Sequence, residues 1–243
     1  MQKLLKYSFQ TYTTHLPLIL LFSLSFIIAL LIPVFAAFPT YNDLGGIFLR
    51  STSLFTNLNL FTTAVIVFST LFSLLFLSFA IVAINIIVKH SRTQTRINRE
   101  VMAGLEKYTA RVFTALLIFT VIVIAIDAMN YLLGISPTLS SIVGLIVTPF
   151  FFYAPAAIVI DELSIKRAME ASLRFFFGRL DYTLTWIVVA FVLVTLFDFI
   201  FIGVSGTMLS RYLLLAFNAL FIMPYLIVLQ SQAYMGRFSL LKR

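Results

Sequence analysis

Two acidic residues, Asp127 and Asp198, stand inside long apolar stretches of the sequence. A carboxylate in a membrane helix is costly, about 2.5–3.5 kcal/mol at the bilayer centre, and residues of this kind commonly serve a function. Gly134 and Gly203 follow near the outer ends of these stretches, so both carboxylates lie short of the midplane. Two interpretations stay open, a proton or cation site and a structural pair. In the second, Asp198 is expected to form an ion pair with Arg211.

Other patterns that carry chemistry are missing from the sequence. It has no cysteine, and its two histidines, His15 and His90, have no acidic partner nearby in sequence. No phosphate-binding glycine loop, HExxH zinc motif or dinucleotide fingerprint is present. The stretch "GVSGT" at 203–207 lacks the GxSxG order of a nucleophile elbow and is typical of a turn. The sequence therefore predicts no cofactor, no metal site and no catalytic residue, and it favours a non-enzymatic role.

The elements that position these residues are membrane helices. Hydrophobic residues make up 61% and charged residues 11% of the 243 residues, and the mean hydropathy is +1.07. About 20 apolar residues span the hydrocarbon core as a helix, and continuous apolar runs favour helices over barrel strands. Six such runs lie at approximately 16–38, 61–88, 112–134, 139–160, 182–204 and 212–234. The predicted fold is all-α, a polytopic bundle of six transmembrane helices in a single integral membrane domain.

The basic residues predict the orientation of the bundle. With the N-terminus inside, fifteen of the seventeen Lys and Arg residues fall on the inner side, and only Arg50 and Arg211 fall outside. Positive residues prefer cytoplasmic connections, so both termini are predicted to be cytoplasmic in a multi-pass protein of the cell (plasma) membrane. The net charge of +8 also favours contact with anionic lipids. Nucleic acid is not an expected partner, because these charges lie close to the crossings.

The connection between the fourth and fifth crossings predicts an amphipathic helix. One face carries residues that recur at helical spacing: Ile165, Met169, Ser172 or Leu173, and Phe176. Charged residues lie on another face. Asp161 and Glu162 suit the positive end of the helix dipole at its start. Such a helix is expected to lie in the headgroup plane with its apolar side towards the lipid.

Two further stretches, 97–112 and 5–16, have similar apolar stripes before the third and first crossings. Three amphipathic helices, each followed by a transmembrane hairpin, would make parallel repeats at 1–90, 91–160 and 161–243. Pro155 then aligns with Pro224, and Asp127 with Asp198; chance alignment of apolar sequence is the alternative. The residues expected to contact lipid headgroups are Arg92, Arg96, Arg99, Lys107, Lys166, Arg167 and Arg174.

The stretch "FFYAPAAIVIDELSIKRAMEASLRFFFGRLDYTLTWIVV" at 151–189 combines a helix end with proline, an amphipathic segment and a further crossing. It resembles the membrane domain of glycerophosphoryl diester phosphodiesterases and related multi-spanning families of bacteria and archaea. The resemblance implies the six-helix layout and a membrane role. In that family hydrolysis belongs to a separate soluble barrel domain, which has no counterpart in this sequence.

Three functional interpretations follow from these observations. The leading one is a non-enzymatic structural or accessory membrane protein that engages lipid headgroups, with a membrane protein or a second copy of the chain as a further partner. The second is a small transporter or channel that uses Asp127 and Asp198. The third is a lipid-modifying membrane enzyme.

Overall fold

A computed structural model describes residues 2–36, 38, 40–43, 46–49, 59–91, 97–134, 137–205 and 208–236. Six of its helical segments are long and apolar enough to cross a membrane: Leu16–Phe35, Leu60–Ser91, Val101–Leu133, Ile142–Ile160, Leu180–Phe201 and Ser210–Met235. The prediction of a helical, multi-pass membrane protein with six crossings is confirmed at this level.

The described helices are α1 (Gln2–Thr14), α2 (Leu16–Phe35), α3 (Leu60–Ser91), α4 (Ile97–Leu133), α5 (Pro137–Phe152), α6 (Ala154–Ile160), α7 (Ile165–Gly178), α8 (Leu180–Ser205), α9 (Met208–Phe217) and α10 (Met223–Met235). A π-helical turn, Asn218–Ile222, joins α9 to α10. Between α2 and α3, the strands β1 (Thr40–Asp43) and β2 (Gly46–Leu49) pair antiparallel, with Thr40 opposite Leu49. Apolar periodicity does not predict this hairpin, which lies in a connection between two crossings.

Buried side chains are concentrated at one end of the bundle. We call this end the inner half; it comprises residues 78–91, 101–115, 154–178 and 223–235. The outer half comprises residues 60–77, 116–133, 142–148 and 186–201, and among these only Asn130 is buried. The start of the sixth crossing is an exception to this division, because Ser210, Leu214 and Leu215 are buried there. The inner half contains the end of α3 and the start of α4. Six of the fifteen basic residues predicted to be cytoplasmic lie between residues 89 and 111.

The three predicted amphipathic segments differ from one another in the structure. Two of them, α1 and α7, are each separated by a single residue from the crossing that follows, His15 and Arg179 respectively. The segment before the third crossing is continuous with it, because 97–133 contains no proline and a single glycine, Gly104. Both junctions keep a helical hydrogen bond, from the Ile19 N–H to the His15 carbonyl at 3.0 Å and from the Thr183 N–H to the Arg179 carbonyl at 3.3 Å. The threefold repeat stays a prediction.

Pro155 and Pro224 both follow interruptions of a helix. Tyr153 separates α5 from α6, and Pro155 follows it by two residues. The π-helical turn ends at Ile222, and Pro224 likewise follows it by two residues. Proline has no N–H and disturbs the preceding helical turn, so interruptions are expected at these positions. The sequence predicts kinks at four intramembrane prolines, 33, 149, 155 and 224; interruptions precede the last two, whereas Pro33 and Pro149 stand inside α2 and α5. The interruption before Pro155 organises the candidate site.

Candidate lipid-headgroup interface

Helix α7 joins an exposed basic face to a buried face. Three of the predicted headgroup-contact residues are exposed on it: Lys166, Arg167 and Arg174. On its other side Ala168, Ser172 and Phe175 are buried against the bundle. The helix therefore presents its cations from a fixed position.

The buried face of α7 is rotated from the predicted one. Ile165, Met169 and Phe176, which the apolar periodicity assigns to the lipid side, are half-buried. The reason is that α7 packs on α5 and α6 rather than lying free on the surface, and the small residues Ala168 and Ser172 allow close approach. A stripe of large apolar residues does not reveal such a contact.

Ser172 fixes α7 to the break between α5 and α6. Its Oγ accepts a hydrogen bond from the Tyr153 N–H at 2.9 Å and donates one to the Pro149 carbonyl at 2.7 Å. In a continuous helix the Tyr153 N–H would bond the Pro149 carbonyl directly. The serine hydroxyl therefore bridges two backbone groups that the break would otherwise leave unpaired.

A polar cluster beside α7 joins three elements through one carboxylate. Glu162 accepts a hydrogen bond from Lys89 Nζ at 3.1 Å and one from Lys107 Nζ at 2.5 Å. Lys89 Nζ also donates to the Val159 carbonyl at 2.9 Å. Both ammonium groups lie over the ring of Tyr108, at 5.6 and 5.0 Å from its centroid. The ends of α3, α4 and α6 are thereby tied together.

The backbone and the side chain of Glu162 are both unusual. Its φ of 58° lies in the left-handed region, which non-glycine residues seldom adopt. Hydrogen bonds from Lys107, Tyr108 and Lys89 lower the pKa of its carboxyl to about 2. Because 48% of the side chain is exposed, water screens these ion pairs and each contributes little alone. The strained connection is held by the pair of lysines together.

Helix α10 is attached to the same region by hydrogen bonds. The buried Tyr234 hydroxyl donates to Asp161 Oδ2 at 2.6 Å, and Gln230 Nε2 donates to the Phe152 carbonyl at 2.5 Å. Trp186 Nε1 donates to a carbonyl of α10 at 2.8 Å. The surface that presents α7 is therefore built from distant parts of the chain.

The remaining predicted headgroup residues differ in how the structure places them. Arg92 and Arg96 lie outside the described residues, and for Arg99 only the backbone, in the first turn of α4, is described. Lys107 is exposed, but its ammonium is bound to Glu162. It is therefore part of the polar cluster rather than an open contact for lipid.

The two intramembrane acids lie half-buried in the outer half, Asp127 on α4 and Asp198 on α8. Within the described chain the ion pairs are Lys89–Glu162, Lys107–Glu162 and Arg179–Asp181. The ion pair expected between Asp198 and Arg211 is not among them. Arg211 is exposed on α9.

Sequence reasoning misses the residues that hold the site together. Glu162 suits a helix dipole by its position in sequence, but its carboxylate is bound by two lysines from other helices. Ser172 and Tyr234 stand in segments whose periodicity says nothing of their hydrogen bonds. Pro149 and Pro155 are sequence signals near them, because prolines in a helix predict an interruption whose backbone groups need polar partners.

No protein-family model matches the sequence, and neither a curated protein nor a solved structure is significantly similar to it. The resemblance to the membrane domain of glycerophosphoryl diester phosphodiesterases therefore stays a prediction that rests on residues 151–189.

Proposed function

We propose that this protein is a non-enzymatic structural or accessory protein of the plasma membrane, which binds anionic lipid headgroups through α7 on the cytoplasmic side. The observation that carries the proposal is the exposure of Lys166, Arg167 and Arg174 on a helix whose other face is fixed to the bundle. Both termini are assigned to the cytoplasm by the distribution of basic residues.

The exposed face of α7 combines charge with apolar area. Basic residues near an anionic membrane surface contribute about 1 kcal/mol each. Phe177, which is 60% exposed, lies at the end of the same helix and suits insertion among headgroups and acyl chains. Both features favour a lipid surface over a soluble acidic partner.

The anchoring of α7 supports tight binding. Ser172 is hydrogen-bonded on both sides of the helix break, and the Phe175 ring lies 4.7 Å from the Tyr153 ring. A helix that is already ordered loses little conformational entropy when it binds. Less of the interaction free energy is therefore offset by ordering, and the affinity is higher.

The proposal is tested by thermal unfolding of the purified full chain in mixed micelles. We expect the melting temperature to rise with the fraction of phosphatidylglycerol, more than with phosphatidylcholine, and the rise to shrink at high salt. The triple variant Lys166→Gln, Arg167→Gln and Arg174→Gln should lose most of this rise. Arg211→Gln, which removes an exposed base predicted to face outside, is the matched control and should keep it. An equal response of the triple variant and wild type would overturn the proposal.

The orientation is tested separately by cysteine labelling. Because the sequence has no cysteine, any label reports only the cysteine that is introduced. Single cysteines at Lys166 and Thr138, which are both exposed, lie at opposite ends of the bundle. We expect an impermeant thiol reagent to label intact cells at position 138 and to leave position 166 unlabelled. The reverse pattern would place α7 outside and remove the cytoplasmic assignment.

A small transporter or channel is the second candidate. The observation that favours it is the position of Asp127 and Asp198, half-buried in the sparsely packed outer half. Reconstitution in liposomes tests it through proton or cation flux in wild type, Asp127→Asn and Asp198→Asn. Flux that either variant abolishes without loss of thermal stability would support transport, and no flux above empty liposomes would reject it.

A further inference from the structure

Helix α1 presents a second basic face at the inner end of the bundle. Lys3 and Lys6 are exposed on it, and they lie three residues apart, so they are neighbours on the helix surface. The 13 residues of α1 include no Asp or Glu, so no acidic residue of the helix offsets the two lysines. Neither lysine is among the residues that the sequence predicts to contact headgroups.

The opposite face of α1 is buried against α10. Leu4, Ser8 and Tyr12, which recur at every fourth position, are between 0 and 9% exposed. The Tyr12 hydroxyl donates a hydrogen bond to the Phe221 carbonyl at 3.3 Å, and Gln232 Nε2 donates one to the Thr11 hydroxyl at 3.1 Å. The basic face is therefore held in a fixed position.

The contacts of α1 also fix its level relative to the membrane. Gln232 lies three residues before Met235, at the inner end of the sixth crossing. The first crossing begins at Leu16, two residues after the end of α1. Lys3 and Lys6 therefore lie at the end of the bundle that the distribution of basic residues assigns to the cytoplasm.

Phe9 adds apolar area to the basic face. Its side chain is 61% exposed, and it follows Lys6 by three residues. On α7 the same spacing joins Arg174 to Phe177, which is 60% exposed. A cation beside an exposed aromatic ring suits headgroups above acyl chains, whereas a soluble anion would need only the cation.

Helices α1 and α7 are anchored in the same way. Each buries a serine, Ser8 and Ser172, that is 0% exposed. Each packs on a crossing whose helix is interrupted, α1 on the sixth crossing and α7 on the fourth. The two basic faces are therefore equivalent in construction, and they are held by different crossings.

We propose that the face of α1 with Lys3, Lys6 and Phe9 is a second binding surface for anionic phospholipid, such as phosphatidylglycerol. The two ammonium groups donate hydrogen bonds to phosphate oxygens, and the Phe9 ring lies beside the acyl chains. The inference rests on the proposed function, which it extends from one lipid-binding surface to two. Helix α1 accounts for the stabilisation by phosphatidylglycerol that remains when the bases of α7 are removed.

A fluorescent label on α1 tests this surface locally in the full chain. Gln10 is exposed and lies four residues after Lys6, so Gln10→Cys places an environment-sensitive dye on the same face. In mixed micelles we expect the dye to respond at an about tenfold lower concentration of phosphatidylglycerol than of phosphatidylcholine. The double variant Lys3→Gln and Lys6→Gln should abolish this preference, and Arg211→Gln should keep it. An equal preference in the double variant and in wild type would overturn the α1 surface.

Phe9→Gln separates the apolar contact from the charge. It should weaken the response of the dye to both lipids by a similar factor and keep the preference for phosphatidylglycerol. Inorganic phosphate should give no response, because it has no acyl chain to contact Phe9. A response to inorganic phosphate equal to that with phosphatidylglycerol would overturn a lipid as the ligand.

The α7 variant distinguishes this inference from the proposed function. Lys166→Gln, Arg167→Gln and Arg174→Gln together should leave the response of the dye on α1 unchanged, because α1 and α7 pack on different crossings. Loss of the response in this variant would overturn a separate surface on α1. If the triple variant is stabilised by phosphatidylglycerol as wild type is, and the dye keeps its response, the function proposed for α7 fails and the α1 surface is supported.

Discussion

In α3, all seven residues from 82 to 88 are buried, whereas none of the eighteen residues from 60 to 77 is. Both stretches are strongly apolar, and they differ in what they contact rather than in hydropathy. The same change occurs along α4, where Val101, Val112 and Ala115 are buried and the apolar residues 116–129 are not. The inner half of the bundle is packed like a protein interior, and the outer half offers most of its surface to lipid or to a partner.

The difference between the halves is explained by polar and small residues. In lipid, helices do not associate to escape water, so packing and interhelical hydrogen bonds provide most of the attraction. The inner half has such bonds, including Ser231 Oγ to Asn85 Oδ1 at 2.7 Å. In the outer half the Thr148 hydroxyl bonds the Gly144 carbonyl of its own helix at 2.8 Å. Local bonds of that kind do not join helices.

The difference in packing between the two halves is tested first by replacing one isoleucine in each half with alanine. Ile84 is 0% and Ile146 62% exposed. We expect Ile84→Ala to lower the free energy of unfolding by about 2–5 kcal/mol, because it leaves a cavity in a close-packed region. Ile146→Ala should change it by less than about 0.5 kcal/mol. Fluorescence of the single tryptophan, Trp186, follows unfolding in mixed micelles. Equal losses would show that the outer half is packed as well.

A second test compares the loss of one serine hydroxyl in each half. Ser172→Ala removes the hydroxyl that bridges Tyr153 and Pro149, so two buried backbone groups lose their partner. The expected loss is about 1–3 kcal/mol, the usual cost of leaving such groups unsatisfied. Ser69→Ala, on the outer part of α3, should be close to neutral. If Ser172→Ala unfolds at the same denaturant concentration as wild type, α7 is not held at the helix break.

Replacing each of two glycines with alanine should change the stability of the protein in opposite directions. Gly104→Ala places a methyl group against the buried Ile86, and this overpacking should outweigh the gain in helix propensity for a net loss of about 1 kcal/mol. For Gly144→Ala the new Cβ has no described neighbour within 4 Å beyond its own helical turn, so propensity alone should raise stability by up to about 1 kcal/mol. Melting temperatures decide the matter, and a stabilised Gly104→Ala would contradict the close approach of α3 and α4.

The smallest expected effect concerns the ion pairs of Glu162. Its pKa is lowered from the ordinary value of 4.5 to about 2, so its pairs stabilise the folded state above about pH 4.5. This contribution should be lost as the pH falls from 4.5 towards 2. Glu162→Gln should therefore be less stable than wild type at pH 7, by less than about 1 kcal/mol, with the difference shrinking in acid. Glu170→Gln serves as the control, and a difference for Glu162→Gln that does not vary with pH would exclude the ion pairs as its cause.

The two halves also separate the two candidate functions. The inner half holds α7 rigidly and presents Lys166, Arg167 and Arg174, which suits binding at a membrane surface. Asp127 and Asp198 lie in the outer half, where few neighbours restrain the helices. A result that supports flux through those acids would therefore assign transport to the outer half without removing the lipid contacts of α7.

The sequence by itself determined the six crossings, because membrane insertion depends on the summed hydropathy of about 20 successive residues. It also determined that α7 is amphipathic and that Lys166, Arg167 and Arg174 lie on its polar side, since periodicity of 3.6 residues is a local property. The start of α7 was predicted less well: it begins at Ile165, so Asp161 and Glu162 lie before the helix and not in its first turn.

Only the tertiary structure decided which residues are buried and what the polar ones bind. A leucine or isoleucine finds an apolar environment both in lipid and in the core, so hydropathy does not distinguish Ile84 from Ile146. Glu162 meets Lys89 and Lys107, and Ser172 meets Pro149, through contacts between separate helices. Such pairs depend on how the helices cross, and a single sequence carries no periodic signal of that geometry.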